Sequence, residues 1–123
     1  LFSTVASNIP AVPADKGRIY FYRPDTMLGA AVTSDINLNG RIVGVSERGS
    51  VFYADEAPGK CVVKTSTEVE KELSFILEAG ETKYVKTSVS LGFMVGRIQP
   101  ELVNPEQGAN EIIELHYTGG PKQ

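Results

Sequence analysis

The 123-residue sequence predicts a mainly all-β fold, an antiparallel β-sandwich of about seven or eight strands with one short C-terminal helix. Three observations lead there. Short runs that are wholly apolar or alternate apolar with polar recur from residue 18 onward. Between them stand turn residues of defined geometry, Asn39-Gly40 and Pro58-Gly59 foremost. Strands joined by such turns, without intervening helical patterns, belong to antiparallel sheets rather than βαβ units.

The chain divides into a leader over 1–17, one domain over 18–117 and a tail over 118–123. In the leader, Phe2, Val5 and Ile9 are spaced for one face of a helical turn or two, and Pro10 and Pro13 force an extended path after them. It reads as a segment docked loosely on the domain or, equally, as a flexible tether. Arg18 to Arg23 is the first strand, and its four consecutive apolar or aromatic residues require cover on both faces. Pro24-Asp25 ends it. Met27-Leu28-Gly29-Ala30-Ala31 then puts apolar residues where a polar loop is expected. Val32 to Leu38 alternates and reads as a half-buried strand.

The stretch from Asp35 to Thr65 reads as two successive β-hairpins. Asn39 and Gly40 both tolerate the positive φ of a type I′ turn, which sets Leu38 opposite Arg41 and Ile36 opposite Val43. Ser50 to Ala54 is the next strand. Pro58 and Gly59 suit the central positions of a type II turn and reverse the chain into Cys61–Thr65. Leu73 to Leu77 and Thr82 to Leu91 follow. In the longer one Val85, Val89 and Leu91 share a face with Lys83 and Thr87, and Tyr84, Lys86, Ser88 and Ser90 form a face that looks wet. Gly92 to Gly96 is a second apolar, glycine-bounded stretch. Pro100 places the last strand, Arg97 to Val103, at an edge or breaks it. Asn104-Pro105-Glu106-Gln107 starts the helix: Asn caps, Pro takes the first position and Gln107 completes a capping box. Ala109, Ile112, Ile113 and His116 fall on its inner face, and Gly108 weakens it.

Composition narrows function. The net charge is −3 with signs interspersed, and without a basic stripe nucleic acid is not an expected partner. The opening residues show neither a charged n-region nor a long apolar h-region. Cys61 is the sole cysteine and reads as a buried strand residue. His116 is the sole histidine, and no nucleophile motif brackets it. One His and one Cys do not make a transition-metal site, the acidic turns lack EF-hand spacing, and Gly92–Arg97 lacks the Lys-Ser/Thr of a phosphate loop. No catalytic residue, metal or cofactor is assigned. The candidate interaction patch is the pair of apolar stretches, represented by Met27, Leu28, Phe93 and Met94; the competing reading packs them on each other to close one end of the sandwich.

Several separated motifs together carry a family resemblance: GRIYFYRP (17–24), INLNGRIVG (36–44), GSVFYADEAPGKCVV (49–63), LEAGETKYVKTSVSLG (77–92) and VGRIQPELV (95–103). In this order they resemble the bacterial domain of unknown function 2846 family, and FSTVASNIP is similar to the segment preceding the domain there. The NG and PG turns show a fainter likeness to PEGA-type surface domains. The family resemblance implies a bacterial envelope protein on the periplasmic side, often tethered by a lipidated cysteine upstream of the domain. Such an anchor, removed before Leu1, is what the resemblance implies here. It implies no activity. Asn39, Gly40, Pro58, Gly59 and Gly80 carry over as fold determinants.

The expected function is a non-catalytic envelope domain, a binding or structural module with a protein partner favoured. The alternatives are a carbohydrate-binding module, which needs Tyr20, Tyr22, Tyr53 and Tyr84 exposed together, and a hydrolase gathering carboxylates around His116.

Overall fold

The structure, a computed structural model, describes residues 1–91 and 96–119. Nine strands form two sheets in a sandwich. A short helix α1 (Phe2–Val5) runs into a 3₁₀ turn (Ala6–Asn8). The strands are β1 (Gly17–Tyr22), β2 (Ser34–Leu38), β3 (Arg41–Ser46), β4 (Ser50–Glu56), β5 (Gly59–Ser66), β6 (Glu70–Leu77), β7 (Thr82–Leu91), β8 (Gly96–Val103) and, after α2 (Pro105–Glu111), β9 (His116–Tyr117). One sheet has the order β8-β7-β1-β4-β9 and the other β3-β2-β5-β6. Antiparallel pairing prevails, and two parallel pairings, β1 with β7 and β4 with β9, are added to it.

The first hairpin forms as the turn chemistry dictates. Asn39 and Gly40 have φ of 50° and 91°, and Leu38 pairs with Arg41. A bulge between Ile36 and Asn37 then shifts the register, so Ile36 lies opposite Gly44 rather than Val43. The second expected hairpin does not exist. β4 pairs with β1 and β9, and β5 pairs with β2 and β6, so Ala57-Pro58 carries the chain from one sheet to the other. The reason is cover. β4 is buried on both faces, and β5 alternates buried with exposed or half-buried. Only the five-stranded sheet offers cover on both sides.

Between the sheets lie Ile19, Phe21, Phe52, Ala54 and Val85 from one side and Ile36, Leu38, Val43, Cys61, Val63 and Leu77 from the other. The outer face of the five-stranded sheet is a second apolar layer. Tyr20, Tyr22, Val51 and Tyr53 pack there with Ile112 and Leu115, and Phe2 and Ile9 of the leader lie against them. Phe2 meets the Tyr20 ring edge-on at 5.5 Å, and its N–H donates to the Leu115 carbonyl at 2.7 Å. The full burial of β1 therefore has the cause its apolar run demands.

The expected wet face of β7 is partly covered. α2 sits so close that a Cβ on Gly108 would lie 2.3 Å from the Tyr84 ring, which explains glycine inside this helix. Asn104 caps α2 by accepting from the Glu106 N–H at 2.8 Å. Gln107 makes no capping box; its amide donates to Glu111 at 3.3 Å instead. The helix ends before His116, which is exposed in β9, and Ile113 also faces solvent. β8 is an edge strand, as Pro100 requires.

Candidate functional site

β1 carries a buried arginine at its start and another directly after its end. At the start, the Arg18 guanidinium donates to both carboxylate oxygens of Asp55, at 2.7 and 3.0 Å, and lies 4.1 Å over the Tyr53 ring. Its third contact is the Pro10 carbonyl at 2.6 Å, which ties down the leader. The hydrogen bonds and charge of Asp55 raise the Arg18 pKa against the opposing effect of burial.

The other end is built differently. Arg23 is 3% exposed. Its guanidinium donates to the carbonyls of Gly29 (2.8 Å), Ser46 (3.2 Å) and Val32. No carboxylate pairs with it among the described residues, and burial pulls its pKa below the usual arginine value. Arginine nevertheless keeps its charge. These bonds fix the loop between β1 and β2 from beneath. Gly29, at φ 66°, presses on β7 so closely that a Cβ would meet Val89 at 2.3 Å, which requires glycine there on two counts. Two turn hydrogen bonds, from the Ala30 N–H to the Met27 carbonyl and from the Val32 N–H to the Gly29 carbonyl, shape the crest.

On that crest Met27 is 76% exposed and Leu28 56%. The sequence-predicted patch is thus half placed: Met27 and Leu28 stand side by side in solvent, and Phe93 and Met94 lie outside the described residues. The nearest described residue after them, Gly96, has its α-carbon against Val89 and Val32, beside the loop. Arg23, Pro24, Thr26, Leu28, Lys86 and Ser88 help line a pocket of about 220 Å³ at this end. Thr87 forms part of its wall and is spent on structure: it shares a 2.8 Å hydrogen bond with Ser46 across the sandwich.

A wider hollow of about 440 Å³ crosses the outer face of the four-stranded sheet, lined among others by Asp35, Asn37, Ile42, Lys64, Ser66 and Glu70. At the hairpin tip Arg41 holds Glu56 through two 3.1 Å contacts, and the Asn39 carboxamide bonds Glu56 and the Val62 N–H. Asn39 therefore shapes its turn and also ties that turn to β5 and to the end of β4.

The four tyrosines come together on the outer face of the five-stranded sheet. Tyr20 stacks on Tyr84 at 5.3 Å and contacts Tyr53 at 5.6 Å. They are not exposed together: Tyr20, Tyr22 and Tyr53 are buried and Tyr84 is half-buried, beneath the leader and α2. The Tyr22 hydroxyl donates to Glu111, which holds the Glu111 carboxyl below its ordinary range. Cys61 is buried, and burial raises its thiol pKa, the opposite of an activated thiolate. No group of three or more His, Cys, Asp and Glu suited to a metal occurs among the described residues, and none of their helices is long and apolar enough to cross a membrane.

Sequence reasoning found the exposed apolar loop because apolar residues stood where polar ones belong. It missed Arg23. The available signal was a charge continuing an unbroken apolar strand just before Pro24.

The family model described as "Protein of unknown function (DUF2846)" matches residues 13–98, more than half of the chain. The chain belongs to the DUF2846 family. An uncharacterized protein of Haemophilus influenzae is 26% identical over 99 residues, covering 80% of this chain and 58% of that relative. The chain thus spans less than two thirds of the relative's length. No solved structure matches it. The DUF2846 span includes both arginines, the apolar loop and every residue lining the pocket beside it, and stops short of α2 and β9.

Proposed function

We propose that this DUF2846 domain is a non-catalytic binding module of the bacterial envelope, on its periplasmic side, that engages a protein partner through the apolar loop end. One observation carries the reading. Met27 and Leu28 are exposed on a loop that Arg23 and the Gly29–Val89 contact hold in place, so presenting them costs little ordering on binding. A large apolar side chain held in water without internal partners is the usual mark of a contact surface. The envelope setting rests on the sequence resemblance, in which the leader serves as tether below a lipid anchor.

The carbohydrate alternative has less support, since a sugar has no aromatic platform to stack on while the leader and α2 cover the tyrosines. The reading is tested by capture from envelope extract with the intact chain and with the Met27→Asp/Leu28→Asp variant. Loss of a specific protein from the variant, with the fold intact by circular dichroism, is expected. Equal recovery of the same proteins removes the loop as the contact surface. Mass analysis of the native precursor for a lipidated cysteine tests the anchor.

A further inference from the structure

A buried guanidinium without a carboxylate is the least explained feature of the molecule. A guanidinium offers five N–H donors. Arg23 uses two on Nη1 and one on Nη2, leaving one on Nη2 and the Nε–H without a partner among the described residues. The carboxylate next in sequence, Asp25, is turned away onto Arg48 at 2.5 Å. A second cation, Lys86, lines the same pocket. Its ammonium lies 3.9 Å from Glu111, beyond hydrogen-bond distance, and Glu111 already accepts from Tyr22. Thr26 and Ser88 add hydroxyl donors to the lining, and no carboxylate side chain lines it.

We propose that the pocket formed by Arg23, Lys86, Thr26 and Ser88 binds a phosphate-type oxyanion. Two fixed cations and two hydroxyls around a hollow of about 220 Å³ supply what such an anion needs, positive charge and several N–H or O–H donors converging from β7 and the loop. Arg23 is already held by carbonyls, so little ordering is required when the anion arrives. Leu28 forms part of the rim and Met27 is exposed beside it, so the phosphate of an ester with an apolar portion fits as well as a free phosphate. The inference stands on the cations and goes beyond the protein-contact reading without depending on it.

The test is titration of the full, isotope-labelled chain with inorganic phosphate, followed by amide NMR. Saturable shifts centred on Thr26, Lys86 and Ser88, with a Kd of about 1 mM or tighter, are expected. Lys86→Met should weaken binding about tenfold, and Lys64→Met on the opposite sheet should leave it unchanged. Arg23→Lys should weaken it further, and Lys86→Met and Ser88→Ala keep the question decidable where Arg23→Lys fails to fold. Absence of saturation, or binding indifferent to both Lys86→Met and Ser88→Ala, overturns the proposal. Given phosphate binding, a second arm separates the sources. Co-sedimentation with phosphatidylglycerol but not phosphatidylcholine vesicles, lost in Lys86→Met, assigns a lipid headgroup; phosphate binding without that preference assigns a soluble phosphate ester. Met27→Asp should impair partner capture and leave phosphate binding unchanged, so failure of either reading shows separately.

Discussion

The two ends of β1 solve one physical problem in different ways. Each buries an arginine, and burying a charge is costly without compensation. At Arg18 the compensation is a carboxylate: Asp55 matches the guanidinium oxygen for nitrogen, and Tyr53 lies under its face. At Arg23 it consists of peptide dipoles, three carbonyls from the loop and the end of β3. A carboxylate cancels the charge; carbonyls solvate it and leave the net charge in place. The first end is therefore closed, with the leader strapped across it. The second is electrostatically open, and it is also the end that displays Met27 and Leu28.

Breaking the closed end should have the larger effect. Arg18→Met leaves Asp55 charged and poorly hydrated, and a loss of about 3 kcal/mol is expected in denaturant unfolding. Restoring most of it with Asp55→Leu in the same chain would show that the pair is dispensable if both charges go. Arg23→Met at the open end strands carbonyls rather than a charge. About 2 kcal/mol of destabilisation is expected, with faster amide exchange at Ala30 and Val32, whose turn bonds shape the loop. If Arg23→Met costs more than Arg18→Met, the contrast between the ends is wrong.

A smaller effect sharpens the comparison through pH. Burial raises the pKa of Tyr20 and Tyr84, and that of Tyr117 to about 12, all at the closed end. A raised folded-state pKa means that the unfolded chain gives up these protons first. The contribution is intact below the ordinary value of 10.0 and is lost as pH climbs from there towards 12. Alkaline titration should therefore release the leader, seen as loss of protection at the Phe2 and Ser3 amides, before the Val32 amide is affected. Simultaneous loss at both ends would show that they do not respond separately.

Legibility in the sequence followed the range of the interactions. The β2–β3 turn and the Asn104 cap were readable because their chemistry spans two or three residues. The partner of β4 was not, since a turn signal at Pro58-Gly59 states that the chain bends and not which sheet it enters. The unbroken apolar run of β4 beside the alternation of β5 held that information. Tyr84 looked wet because its cover, α2, arrives from another part of the sequence. The apolar loop was visible from composition alone, and Arg23 was not, because backbone carbonyls have no signature in the residue types that carry them.

The parallel pairing of β1 with β7 has a consequence for synthesis. Arg18 lies beside Thr82 and Tyr22 beside Lys86, and the whole four-stranded sheet is encoded between them. A chain emerging N-terminus first cannot complete its most apolar strand locally. One hydrogen-bonding edge of Gly17–Tyr22 stays open until β7 has been made, and ordering so long an intervening segment slows closure. That nascent edge, GRIYFY, is where a growing chain is most exposed to pairing with a neighbour.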